Sequence, residues 1–277
     1  MKLQIKICAA ALALLLSATA GAGPALDRVM EKKVLTVATD ANWPPQSFLN
    51  DENEMDGFDV EVAKEIARRL GVGVAFVTPL WDIITSGHWQ GRWDISVGSM
   101  TPTRERGRVL DFPAVYYYLL VNAAVHEDSA VTTIAGLNGK NIGVTTASTH
   151  ELYLKKELSI ASEDAPPFTY QVTPGKISSY ERYATAADDL RLGDGVRLDA
   201  VLGALPNILK NIEAGYPFRV VGAPVFYEPI AIAIDKGDAE FKNRLREIVL
   251  AMHEDGTLSR LSKKWFGKDY SRSYPVD

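Results

Sequence analysis

Cysteine is nearly missing from this chain: one residue, Cys8, in 277. A fold stapled by disulfides is therefore excluded, and so is a thiolate metal site. Histidine is scarce as well, with four residues at 88, 126, 150 and 253, and none stands at metal-ligand spacing. GxSxG, Walker and HExxH patterns are all missing, so the common hydrolase, nucleotide and zinc-protease signatures give no support for an enzyme. Basic charge is in deficit too. Lys and Arg number 30 against 35 Asp and Glu, for a net charge of −5, and the basic residues are scattered rather than clustered. Nucleic acid is not expected as a partner. After the first twenty-odd residues, no run is long and apolar enough to span a bilayer, which takes roughly 20 residues as a helix.

Those first residues form a separate object. Lys2 and Lys6 make a positive start, Ile7 to Leu16 is apolar, and Ser17-Ala18-Thr19-Ala20 supplies small residues. This is the pattern of a secretory signal, with Ala20 or Ala22 as the last residue removed, so residues 1–22 are expected to be cleaved on export. Cys8 would leave with them. The loss of Lys2 and Lys6 would make the product more acidic still.

In the remainder, short β-rich runs alternate with helical patterns. Val34 to Ala38 reads as a strand. Phe58 to Leu70 reads as a helix that places Ala63, Ile66, Ala67 and Leu70 on one face and stops at Gly71. Val72 to Val77 is the next strand, a helical stretch starts at Trp81, and Asp94 to Val97 is a third strand. Strand–helix–strand alternation implies a parallel sheet with right-handed crossovers. The pattern restarts with a strand at Asn141 to Thr145 and a helix from Ser148 to about Leu158. Further strands are expected at Phe168 to Val172, Leu198 to Leu202, Phe218 to Val221 and Ile230 to Ile234. Helices are expected near Pro206 to Ala214, from Asp238, and over Thr257 to Trp265; the second carries Phe241, Leu245, Ile248, Val249 and Met252 as one apolar stripe. Two α/β units result, joined near Tyr116-Tyr117-Tyr118. Gly175 to Gly195 gives no clear pattern, and Gly193-Asp194-Gly195 reads as a loop insertion.

Three places stand at strand ends, where open α/β sheets bind ligands. Gly98-Ser99 is expected just past the third strand, followed by Thr101, Thr103 and Arg106. The threonines offer hydroxyls, and Arg106 offers a planar fork suited to a carboxylate. A solvated turn whose threonines cap the next helix fits the same residues. Ser148, Thr149 and Glu151 follow the fourth strand; Ser148 and Glu151 have capping-box spacing, and a helix start there also suits a carboxylate. Asp40 with Trp43 follows the first strand, and Trp81 follows the second. An acid beside indoles suits a cationic or amide group.

These segments, in order, resemble a known family. Thr39-Asp40 with Trp43-Pro44-Pro45, Gly57-Phe58-Asp59-Val60-Glu61-Val62-Ala63-Lys64, Trp81-Asp82 and Trp93-Asp94-Ile95 match it. So do Thr101-Pro102-Thr103-Arg104-Glu105-Arg106, Asp111-Phe112-Pro113 with Tyr116-Tyr117, and Leu137-Asn138-Gly139-Lys140-Asn141-Ile142-Gly143-Val144. Leu198-Asp199-Ala200-Val201 and Asp255-Gly256-Thr257-Leu258 complete the set. Together they resemble the periplasmic solute-binding proteins of polar-amino-acid ABC transporters, solute-binding protein family 3. The resemblance implies the type II periplasmic binding fold, with two Rossmann-like α/β lobes joined by two hinge strands. Lobe one would take residues 23–117 and 224–277, and lobe two residues 118–223. It implies that Arg106 clamps an α-carboxylate with help from Ser99 and Thr101. Ser148 and Thr149 would assist from lobe two, Trp43 and Trp81 would sandwich the ligand's side chain, and Asp40 would read its polar end. No cofactor is implied. The implied partners are a small carboxylate-bearing solute and an inner-membrane ABC permease, and the protein is expected to be a periplasmic monomer.

One departure stands out. The family usually carries an aspartate for the ligand's α-ammonium five residues after the position of Asp199, and this chain has Ala204 there. Glu228, before the returning strand, is a candidate substitute. His150 also stands where a glutamine or small polar residue is more usual. A betaine or opine-like ligand therefore stays open beside an amino acid. An enzyme of the cyclohexadienyl or arogenate dehydratase kind, with Glu228 or His150 as its acid, is an alternative. A sensor or assembly factor is another.

Overall fold

The computed structural model describes residues 24–162 and 165–272. The expected signal, residues 1–22 with Lys2, Lys6 and Cys8, lies outside them. In chain order, helix α1 (Pro24–Lys32) precedes strand β1 (Val34–Ala38), and three short strands β2 (Asn42–Trp43), β3 (Ser47–Leu49) and β4 (Met55–Asp56) form a small separate sheet. Helix α2 (Phe58–Leu70), β5 (Gly73–Val77), α3 (Trp81–Thr85), β6 (Ile95–Met100) and β7 (Leu110–Asp111) follow. A long strand β8 (Val115–His126) leads to β9 (Asn141–Thr145), α4 (Thr149–Leu154), β10 (Lys176–Tyr180), α5 (Tyr183–Leu190), β11 (Ala200–Ala204) and α6 (Leu205–Glu213). The chain returns along β12 (Phe218–Asp235) and ends in α7 (Ala239–Glu254) and α8 (Thr257–Phe266).

The main sheet has the order β10-β9-β11-β8-β12-β6-β1-β5, with β7 also paired to β12. Its two flanks are parallel, β6-β1-β5 at one end and β10-β9-β11 at the other. The antiparallel pair β8–β12 runs between them, from Phe218 opposite His126 to Ala231 opposite Val115. Packing divides these two strands. Tyr116, Tyr117, Leu119 and Leu120 of β8, with Ile230, Ile232 and Ile234 of β12, share a core with β1, β6, α2, α7 and α8. Val121, Ala123 and Val125, with Val221, Val225 and Phe226, share another with β9, β11 and α4. Separate hydrophobic cores on the two halves of one continuous backbone ladder are the physical content of two α/β lobes joined by two strands.

Helix α2 covers Phe58 to Leu70 as its periodicity requires. Ala63, Ile66, Ala67 and Leu70 are all buried, and Gly71 ends the helix in the left-handed conformation at φ 75°. The stripe of α7 is likewise buried over its whole length, and the Asp238 side chain caps it by accepting from the Phe241 N–H. Each fully buried large apolar side chain of this kind stabilises by roughly 1.5–3 kcal/mol relative to exposure.

Four expectations need correction. The strand ending near Val97 continues to Met100, because β12 arrives antiparallel and pairs Ala231 with Met100. Gly98 and Ser99 therefore lie within it. The two runs at 218–221 and 230–234 are parts of one 18-residue strand. The helix from Ser148 ends at Leu154 rather than near Leu158: Glu157 N–H donates to Leu152 O, Lys156 N–H donates to Tyr153 O, and Lys156 takes φ 63°, closing a Schellman turn. Phe168 to Val172 is irregular. Its backbone groups bond to a side chain instead of a ladder, with Gln171 N–H donating to the Tyr153 hydroxyl, which donates to Thr169 O. The strand that pairs with β9 lies later, at Lys176–Tyr180. Helix α5, in the stretch without a clear pattern, and α1 went unmarked by sequence reading. Among the described residues, no helix is long and apolar enough to cross a membrane.

Candidate functional site

A cleft between the two flanks of the sheet is lined by all nine residues singled out from the sequence: Asp40, Trp43, Trp81, Ser99, Thr101, Arg106, Ser148, Thr149 and Glu228. Its free volume is about 60 Å³. At about 10–15 Å³ of such volume per water, that is room for roughly four to six waters or a compact solute. Tyr183, Ala204 and His150 also line it.

Arg106 is buried and opens a single turn of 3₁₀ helix after Thr101-Pro102-Thr103. The Thr103 hydroxyl accepts from the Arg106 N–H, which is the capping role expected of a turn threonine. The guanidinium donates to Thr101 O at 2.9 Å and, across the cleft, to Ala147 O at 2.9 Å. Its carbon lies 5.3 Å from the centre of the Trp81 ring. Trp81 is thus faced by a cation of the protein itself. Burial pulls the Arg106 pKa down to about 10, against the favourable charge of Glu228, so the group stays protonated at neutral pH. With five N–H donors and two given to carbonyls among the described residues, the fork keeps donors for a carboxylate.

Glu228 sits on β12 and is buried. Its Oε1 accepts from the Thr101 hydroxyl at 2.6 Å and from the Thr149 hydroxyl, one from each side of the cleft. His150 Nε2 stands 3.6 Å from Oε2, an ion-pair distance beyond direct hydrogen bonding. Burial alone would raise the Glu228 pKa, but His150, Thr101 and Thr149 together hold it below the usual carboxylate value. Both His150 ring nitrogens are buried without a hydrogen-bond partner among the described residues. Ala204 lines the cleft at the end of β11 and brings no acid there, whereas Glu228 is supplied by β12.

Ser99 and Ala147 both take φ 58°. Non-glycine residues pay on the order of 1–3 kcal/mol for such backbone, and they gather at functional sites. At Ala147 the conformation aims the carbonyl at Arg106 while the N–H donates to Glu151 Oε2 at 2.7 Å. Ser148 caps α4 as its spacing predicts, accepting from the Glu151 N–H, but the Glu151 side chain reaches back to Ala147 rather than to Ser148. The Ser99 hydroxyl turns from the cleft. It donates to Asp59 Oδ2 at 2.8 Å and lies 2.5 Å from Tyr117 Oη, while the Ser99 N–H donates to Tyr116 Oη.

Asp40 differs from expectation. Its Oδ1 accepts from Arg182 Nη1 at 2.8 Å and from the Asn42 N–H at 2.8 Å, so an internal cation holds the carboxylate. Sequence reading missed Arg182 because it lies in the unpatterned stretch before α5. Beside it, Tyr183 meets Trp43 edge-on, with ring centres 5.1 Å apart. Asn207 and Gln46 exchange amide hydrogen bonds of 2.9 and 3.1 Å nearby. On the opposite rim, Arg104 N–H donates to Ser159 O and Ala161 N–H to Pro102 O. Direct hydrogen bonds thus join the two sides of the cleft at several separate points. Among the described residues, no group of His, Cys, Asp and Glu is placed to hold a metal ion.

Two α/β lobes, two connecting strands and a ligand-sized cleft between them define a type II periplasmic binding fold. The chain belongs to the bacterial extracellular solute-binding proteins, family 3, whose profile matches residues 35–268. Among curated relatives, the L-cystine-binding protein TcyJ of Escherichia coli (strain K12) is 27% identical over 253 residues, covering 89% of this chain and 88% of that one. Among solved structures, the ancestral amino acid-binding protein AncCDT-1, a precursor of cyclohexadienyl dehydratase, is 31% identical over 87% of this chain and 98% of its own, with a TM-score of 0.72. An ancestral arginine-binding protein bound to glutamine is 29% identical, covers 85% of this chain and 99% of its own, and has a TM-score of 0.74.

Proposed function

We propose that this protein captures a small amino acid or amino-acid-like carboxylate between its lobes, without transforming it, and hands it to an ABC permease in the membrane. The lobes in this reading are residues 23–117 with 224–277, and residues 118–223. The chain works outside the cytoplasm, as a monomer, after residues 1–22 are removed. The observation that carries the reading is one buried cation and one buried anion on the same cleft. Arg106 pairs with the α-carboxylate, and Glu228, standing in for the acid absent at Ala204, pairs with the α-ammonium. An unpaired ammonium in such a site would cost several kcal/mol, which is why the second charge matters. The relatives named as amino-acid-binding proteins support the same reading. Because Arg106 and Thr101 stand on one side and Thr149 and Ala147 on the other, a ligand between them favours the closed arrangement of the lobes.

The test is thermal unfolding and calorimetric titration of the purified protein against amino acids, betaines, opines and prephenate. At 1,000 times its dissociation constant a ligand adds roughly 4 kcal/mol of stability. The expected result is a shift with at least one α-amino acid that is lost in Arg106→Ala. A shift only with carboxylates lacking an α-ammonium would overturn the role of Glu228. Consumption of prephenate would instead favour the dehydratase reading, for which the Glu228–His150 pair and the likeness to AncCDT-1 are the supporting features.

A further inference from the structure

The amino-acid reading above leaves the ligand's side chain open, and Arg182 bears on it. Asp40 follows β1 at the cleft, and Arg182 precedes α5 on the other lobe; the two meet at 2.8 Å. We propose that Arg182 is a specificity-determining residue. It occupies, from within the chain, the carboxylate that a cationic ligand side chain would need, so the cleft accepts α-amino acids with uncharged side chains and rejects arginine and lysine.

Several observations converge on this. Among the described residues lining the cleft, only Asp40 and Glu228 carry carboxylates. Glu228 is committed to the α-ammonium in the reading above, so a cationic side chain has Asp40 alone to turn to. There it would have to displace Arg182 or lie beside it, and like charges side by side are a common device for excluding the wrong ligand. Arg182 is not a loose surface arginine. The next residue, Tyr183, is buried in the lobe-two core and packs edge-on against Trp43 of the other lobe, which fixes the backbone that presents the guanidinium. Asp40 is fixed equally, since Oδ1 also accepts from the Asn42 N–H. The other charged groups at the cleft are Arg106 and, when protonated, His150, and both add to the repulsion of a second cation.

Calorimetric titration with glutamine, leucine, arginine and lysine tests the assignment on wild type and on Arg182→Gln, Arg182→Lys and the double variant Asp40→Asn/Arg182→Gln. In wild type, arginine and lysine should bind at least tenfold more weakly than the better of glutamine and leucine. Arg182→Gln should narrow that ratio for arginine at least tenfold, Arg182→Lys should preserve it, and the double variant should restore it. Circular dichroism melts keep misfolding apart from altered specificity. Arginine binding wild type as tightly as glutamine or leucine would overturn the role of Arg182 and leave the amino-acid reading standing. A gain that survives Asp40→Asn would overturn it too. If none of the four binds wild type, this inference is overturned, and the amino-acid reading falls with it only when no other α-amino acid of the wider panel binds.

Discussion

The Tyr116 hydroxyl donates to Asp59 Oδ1 over 2.7 Å, tying helix α2 to one of the two strands that cross between the lobes. Asp59 is fully buried, and burial drives its pKa up to about 7 despite the opposing hydrogen bonds from Tyr116 and Ser99. The folded state therefore binds this proton more tightly than the unfolded chain does. Between the ordinary carboxylate range near pH 4 and about pH 7, the folded protein is the more protonated form, so this group makes stability fall as pH rises across that window. Urea titrations from pH 4.5 to 8 should show the decline in wild type and a flatter profile in Asp59→Asn. An identical slope in both proteins would assign the decline to other groups.

Gln46 and Asn207 make a reciprocal amide pair between the lobes. Gln46 is fully buried. Asn207→Ala leaves the Gln46 amide short of partners, at about 1–3 kcal/mol. The loss falls on the closed form, because the pair exists only when the lobes meet. The expected result is roughly a tenfold weaker affinity for the amino-acid ligand, with a larger radius of gyration in small-angle scattering. Unchanged affinity would show that closure does not depend on this pair.

Gly203 on β11 lies against the ring of Tyr183: a Cβ there would sit 2.8 Å from Tyr183 Cε2. The ring lines the cleft and packs edge-on against Trp43, with ring centres 5.1 Å apart. Gly203→Ala should push Tyr183 into the cleft, lowering the melting temperature and weakening ligand binding together. Both are read in one thermal-shift series with and without ligand. A variant with wild-type affinity would mean the ring moves without narrowing the cleft.

Glu228 separates charge from hydrogen bonding. Glu228→Gln keeps an acceptor for Thr101 and Thr149 but removes the negative charge, so affinity for an α-amino acid should drop at least tenfold with little change in fold stability. Glu228→Ala also strands both threonine hydroxyls, and should add about 1–3 kcal/mol of destabilisation. The wild-type carboxyl, held below its ordinary value, contributes stability that is present above the unfolded pKa near 4.5 and lost as the pH falls through the lower folded value. Ligand affinity should accordingly stay level from pH 8 to about 5. Retained affinity in Glu228→Gln would remove the ammonium assignment.

Much of this was legible in the residues themselves. The 3.6-residue spacing of apolar side chains fixed α2 and α7, because burying one face of a helix is a local requirement. In the turn Thr101 to Arg106 the residues themselves showed the capping role that the Thr103 hydroxyl takes for the Arg106 N–H, because a turn threonine bonds the backbone locally. The turn's reading as an anion socket came from the family resemblance. The Schellman turn at Lys156 and the irregular path at 168–172 escaped notice. A lysine rarely takes glycine's place, and an apolar run can satisfy its backbone on one tyrosine hydroxyl.

What the sequence by itself determined is most of the elements, the polarity of their faces and, with the family resemblance, the nine side chains that line one cleft. Tertiary structure decided which of those side chains remain available. Arg182 holds Asp40, Arg106 faces Trp81, and the Ser99 hydroxyl turns to Asp59, in each case through a partner distant in the chain. Hydrogen bonds and ion pairs form wherever folding brings complementary groups within about 3 Å. Such distances between residues 40 and 182 are set by the whole sheet and by no local pattern.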